Sequence, residues 1–129
     1  MPGVLLTEEK AMVPRALVIQ SRPDLARAVS ASLADVEVHA IVLSDGHAVV
    51  SAVETWEPHV VLVDLTLPPL DGWCVLAAVG ARADRPLLVV RVADASQVER
   101  AIALGADAWV DDAVHVVAAA GRLAVTLAA

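Results

Sequence analysis

"VVLVDLTLPPLDGW", residues Val60 to Trp73, opens as an unbroken apolar run, stops at an acid, and passes into a Pro-Pro turn followed by Asp71 and Gly72. Valine and leucine without polar alternation read as a strand buried on both faces, as in a parallel sheet covered by helices. The same alternation of strand and helix extends on either side. Before it, "ALVIQ" (Ala16 to Gln20) is a strand, and "RPDLARAVSASLA" is a helix opened by Pro23 with an acid in its first turn. "VEVHAIVL" follows as a second strand and "SDGHAVVSAVETW" as a helix opened by Ser44 or Asp45. After it come a helix from about Asp71, the strand "PLLVV", the helix "DASQVERAIALGA" closed by Gly105, the strand "AWV", and a last helix from about Val114. Five such units predict an α/β fold, a parallel sheet with helices on both faces. Residues 1–14 stand outside the scheme as an N-terminal arm, and residues 15–129 make one domain.

Composition narrows the function. The 129 residues suffice for a single layered core, and a net charge of −7 argues against nucleic-acid or anionic-membrane binding, which need clustered cations. The expected partner is a protein. A single cysteine, Cys74, excludes an internal disulfide and a thiolate metal cage, and is expected as a small packing residue. "MPGVLLTEEK" lacks the basic start and apolar run of a signal peptide. Although 58% of residues are hydrophobic, no uncharged apolar stretch reaches the roughly 20 residues that span a bilayer. A cytoplasmic location is expected, and the low lysine with high alanine, valine and arginine points to a GC-rich bacterial genome.

Ligands of open parallel sheets sit outside the carboxyl ends of the strands, where Asp64 falls. Asp64 equally suits a plain turn cap. Other chemistry is thin. His39, His47, His59 and His115 are scattered without metal-type spacing, and no Gly-rich phosphate loop, nucleophile elbow or Cys-His pair occurs. "DGH" resembles the start of a cobalamin-binding loop, but Val50 stands where that motif wants glycine, and the stretch follows the second strand instead of the first.

From about Arg15 to Ala129 the chain resembles a response-regulator receiver domain, the CheY-like, flavodoxin-like, doubly wound phosphoacceptor module of two-component phosphorelay signal transduction. The resemblance rests on "PHVVLVDLTLPPLDGW", with Pro68 and the Asp71-Gly72 pair in the expected turn, on the spacing of "SDGHAV" before it, and on "ALGADAWV". It implies that Asp64 stands at the phosphoacceptor position. The remaining positions depart from the pattern. Gln20 and Ser21 stand where receivers carry the acidic pair that holds Mg²⁺, Arg91 stands at the strand-four Thr/Ser switch, and Asp112 (or, with a one-residue slip, Asp111) stands at the lysine position. Trp109 keeps the aromatic type at the other switch position. Mg²⁺ needs hard oxygen ligands in octahedral array, so its binding is expected to be weak or absent, and phosphoryl transfer depends on such charge neutralisation.

A cation lost after strand five and one gained at strand four raise the expectation that Arg91 neutralises Asp64; its alternatives are solvent, Asp94, Asp111 or Asp112. Three readings follow. The first is an atypical pseudo-receiver that is not an enzyme and acts in signalling or assembly through protein contacts. The second is a working phosphoacceptor modified on Asp64, and the third a small-ligand binder at the strand ends. The substitutions favour the first. The final helix, "AVHVVAAAGRLAVTLAA", is apolar around almost its whole circumference, which is normal only for a helix covered on more than one side. With Val98, Ala101 and Ile102 of the helix before it, it predicts a protein partner or homodimer at helices four and five, with the arm as a second contact.

Overall fold

The computed structural model describes residues 13–65 and 72–110. In chain order these form β1 (Arg15–Ile19), α1 (Pro23–Asp35), β2 (His39–Leu43), α2 (Val49–Trp56), β3 (Val60–Asp64), α3 (Gly72–Gly80), β4 (Leu87–Arg91), α4 (Ser96–Ala103) and β5 (Ala108–Val110). Every strand pairing is parallel, in the order β2-β1-β3-β4-β5. This is the expected doubly wound, flavodoxin-like sheet, with β3 beside β1 at its centre. The arm up to residue 12, the Pro-Pro turn, Asp111, Asp112 and the expected last helix lie outside the described residues.

Period-two alternation divides the strand side chains between two cores. Ala16, Val18, Val60, Leu62 and Val89 face α1 through Val29 and Leu33. Leu17, Ile19, Val61, Val63, Leu88 and Val90 face α2, α3 and α4 through Val49, Val53, Leu76, Val79 and Ala101. Each fully buried valine or leucine contributes about 1.5–3 kcal/mol. Burial on both faces holds for β1, β3 and β4. It fails at the sheet margins, where His39 and Ile41 on β2 and Trp109 on β5 are exposed. A marginal strand has one neighbour and incomplete helix cover, so apolar sequence there does not mean burial.

Two boundaries differ from the sequence expectation for local reasons. The second strand starts at His39, not Val36, because Val36 to Val38 close α1: their amides donate to the carbonyls of Leu33 and Ala34 at 2.9–3.1 Å, and Glu37 takes a left-handed φ of 61°. The second helix starts at Val49, not Ser44, because Asp45 Oδ1 accepts the His47 amide at 2.9 Å and holds a turn instead of a helix cap.

Contacts between elements fix the ends of the sheet. Arg15 donates from Nε to the Trp56 carbonyl at 3.1 Å and from Nη2 to the Glu57 carbonyl at 2.5 Å, placing a cation on the carboxyl end of α2. Arg85 forks onto Asp107 at 2.7 and 3.0 Å, while the Leu88 amide donates to the same carboxylate at 2.8 Å. The guanidinium holds the Asp107 carboxyl below its ordinary value. The end of α3 and the turn after α4 approach backbone to backbone: a Cβ at Gly80 would fall 2.0 Å from the Leu104 carbonyl oxygen, and Gly105 opposite has φ +111°. Only glycine allows that crossing.

Candidate functional site

Strand register builds the site. Val18, Leu62 and Val89 form one cross-strand row on the α1 face, in register across β1, β3 and β4. Two residues further along each strand, at the carboxyl ends, the same row continues as Gln20, Asp64 and Arg91. Asp64 and Arg91 are register partners, and Gln20 follows Ile19, the partner of Val63. An apolar ladder thus ends in a polar triad, and the acid that closes the buried strand faces an amide on one side and a guanidinium on the other.

Both neighbours donate to the same carboxylate oxygen. Gln20 Nε2 lies 3.0 Å from Asp64 Oδ2, and Arg91 Nη1 also lies 3.0 Å from it. Asp64 and Gln20 are 4% and 5% exposed, and the Arg91 side chain keeps 26% of its surface. The cation is therefore partly exposed while the carboxylate it bonds is almost fully buried, as the long stem of an arginine allows. Gln20 is oriented in turn: its Oε1 accepts the Arg22 amide at 3.2 Å, and its own amide donates to the Leu43 carbonyl at 3.0 Å. The Leu65 amide donates to the Arg91 carbonyl at 2.9 Å, tying the exit of β3 to β4. The void beside the row, bounded by Val29, Leu62 and the triad, is about 20 Å³. That is room for about one water molecule.

The other expected residues disperse. Ser21 turns away from Asp64 and lines a separate cleft of about 470 Å³ between the loops after β1 and β2 and the helices α2 and α3, with Ser44, Asp45, His47 and Cys74 on its walls. Cys74 is exposed there, which corrects the expectation of a packing residue. Trp109 is the register partner of Val90 and 46% exposed, and Asp112 lies outside the described residues. His59 accepts the Arg15 amide on Nδ1 at 2.9 Å, and burial, with the Arg15 charge, lowers its pKa below the usual 6.5. Among the described residues no group of three His, Cys, Asp or Glu side chains is placed to hold a metal ion. Sequence reasoning passed over two contacts, the Arg100 guanidinium 4.2 Å above the Trp73 ring and the Gly80–Gly105 crossing.

No family model matches the chain, and no curated protein sequence matches it. Solved structures do. A response-regulator signal receiver domain from Bermanella marisrubri superposes with a TM-score of 0.73 at 23% identity, over 84% of this chain and 96% of that one. The Francisella response regulator 1452 receiver domain gives 0.76 at 15% identity, over 88% and 98%. The chemotaxis response regulator CheY4 of Vibrio cholerae gives 0.72 at 17%, over 86% and 98%. The fold is that of a response-regulator receiver domain. In this receiver fold the polar triad occupies the strand ends where the Mg²⁺ and phosphoryl chemistry of receivers is expected, and its donor set does not suit the ion. Gln20 and Ser21 supply no carboxylate, and the Asp64 oxygen already takes hydrogen bonds from a cation and an amide. A hard dication there would face a guanidinium.

Proposed function

We propose that the chain is a pseudo-receiver, a signalling module without enzymatic activity that works through protein contacts and not through a phosphorylation cycle. The observation that carries this reading is the convergence of Arg91 and Gln20 on one oxygen of buried Asp64. A nucleophilic carboxylate must approach an anionic phosphoryl group with a metal between them. Here a cation of the same chain already pairs with the acid. The same arrangement supports the expectation that Mg²⁺ is not a cofactor.

The contact surface follows from exposure. Ile102 on α4 and Trp109 on β5 are 54% and 46% exposed, and strand alternation puts Trp109 on the sheet face that α4 covers. Large apolar side chains left in water on neighbouring elements suit a protein partner or a second copy of the chain. We assign partner binding to this α4–β5 side, with the last helix expected from the sequence and the N-terminal arm as further contacts. No helix among the described residues is long and apolar enough to cross a membrane.

The test is intact mass after incubating the full chain with acetyl phosphate and Mg²⁺. An unchanged mass is expected. A phosphate-sized increase that disappears in Asp64→Ala would establish the working phosphoacceptor instead.

A further inference from the structure

The segment from β4 to the turn after α4 is fastened to the β3–α3 arm at three separate places. At its root, Arg91 bonds to Asp64 at 3.0 Å while its carbonyl accepts the Leu65 amide at 2.9 Å. On its flank, Arg100 stacks on Trp73 at 4.2 Å; Trp73 is the second residue of α3 and packs against the larger core. At its far end, Gly80 and Leu104–Gly105 touch without room for a Cβ. The connecting loop is itself tied: the Val92 amide donates to the Val110 carbonyl at 2.9 Å, the Ala93 amide to Gln97 Oε1 at 2.7 Å, and the Ser96 amide to Asp94 Oδ1 at 2.9 Å.

We infer that α4 is clamped in a single position, by Arg91 at its root and Arg100 on its flank, so that the side of the fold bearing Ile102 and Trp109 is displayed continuously instead of being switched. The two guanidiniums act on different partners. Arg91 immobilises the loop through a buried carboxylate, whereas Arg100 holds the helix through an aromatic face, an attraction that survives partial exposure. The inference deepens the pseudo-receiver reading and rests on it for the meaning of a constant surface, but the clamp is a mechanical claim with its own test.

Backbone and indole relaxation dispersion on the full chain measures it directly. Flat profiles are expected for residues 92–104 and the Trp109 indole in the native protein, with exchange appearing in Arg91→Thr/Arg100→Gln. For the flank clamp alone, Arg100→Gln retains helix propensity and a long stem at an exposed site, so folding is preserved. Amide hydrogen exchange across residues 99–104 should quicken about threefold in Arg100→Gln, the size of a partly exposed cation–π contact, and at least as much in Trp73→Leu, which also loses packing on the core. The double variant should be no faster than the faster single one. Exchange broadening of α4 in the native chain, or a double variant whose rate is the product of the singles, overturns the clamp. Measured beside the acetyl phosphate experiment, the two claims separate: a phosphorylated protein with a rigid α4 removes the pseudo-receiver reading alone, and an unmodified protein with a mobile α4 removes the clamp alone.

Discussion

Removing the Arg91 guanidinium while leaving Asp64 in place asks how much the polar row contributes to stability. In Arg91→Met the methionine keeps much of the stem, but the carboxylate, 4% exposed, loses its cation and keeps the Gln20 amide at 3.0 Å. Two charges about 4 Å apart at an effective dielectric near 20 attract by about 4 kcal/mol before desolvation is subtracted. Stranding one member of a buried pair costs about 3–5 kcal/mol. Arg91 retains 26% of its side-chain surface, so water reaches the pair and the lower end, about 3 kcal/mol, is expected. The reverse change, Asp64→Asn, should cost less, about 1–2 kcal/mol, because the guanidinium can turn to solvent and Gln20 keeps an oxygen to donate to. The double variant should then be more stable than the sum of the singles predicts by about 2 kcal/mol. Urea unfolding resolves this: with an m-value of about 2 kcal/mol per M, the single arginine variant shifts the midpoint by roughly 1.5 M. Additivity within about 0.5 kcal/mol would show that the side chains do not interact energetically, and the account of the row would be wrong.

Other expectations follow from single features. Native His59 binds a proton less readily than the unfolded chain, so its contribution to stability is complete above about pH 6.5 and falls as the pH drops from there to the lowered native value; a urea midpoint series in wild type and His59→Gln should lose that slope only in the variant. Asp107 acts in a lower window: its stabilisation is present above the ordinary carboxylate pKa of 3.8 and is lost as the pH falls through its lowered native value, a loss that Asp107→Asn should remove from an acid titration. Glu57 holds a left-handed φ of 50° at the end of α2, so Glu57→Gly should raise stability by up to about 1 kcal/mol in thermal melts. Gly80→Ala should lower it by at least about 2 kcal/mol, since the opposing atom is a backbone oxygen that cannot rotate away.

The sheet was readable because β1, β3 and β4 are apolar at every interior position, and because Pro23 and Gly105 mark a helix start and end in ways that follow from backbone chemistry. The Asp64–Arg91 contact was anticipated from the resemblance to receivers, which puts Arg91 at the strand-four switch position, but register decides it. A slip of one residue would have turned Arg91 to the α2–α4 face, and no sequence period distinguishes the two. Gln20 reached the carboxylate and Ser21 did not, for the same reason of alternation. Cys74 was expected to pack, and is exposed, because a nearly uniform apolar helix carries little polar contrast to mark its outer face. Val36 and Glu37 read as strand yet close a helix, since hydrogen bonds back to Leu33 and Ala34 outweighed β-propensity.

An acid matched by a cation from its own chain has consequences beyond chemistry at that point. On the pseudo-receiver reading proposed above, a module whose carboxylate is paired from its own chain would have no off state to return to, and would be indifferent to donor supply and to cellular magnesium. Its output would then scale with the number of copies present. Transcription, translation and proteolysis would become the dial, and the Arg91 contact would convert a timer into a measure of dose.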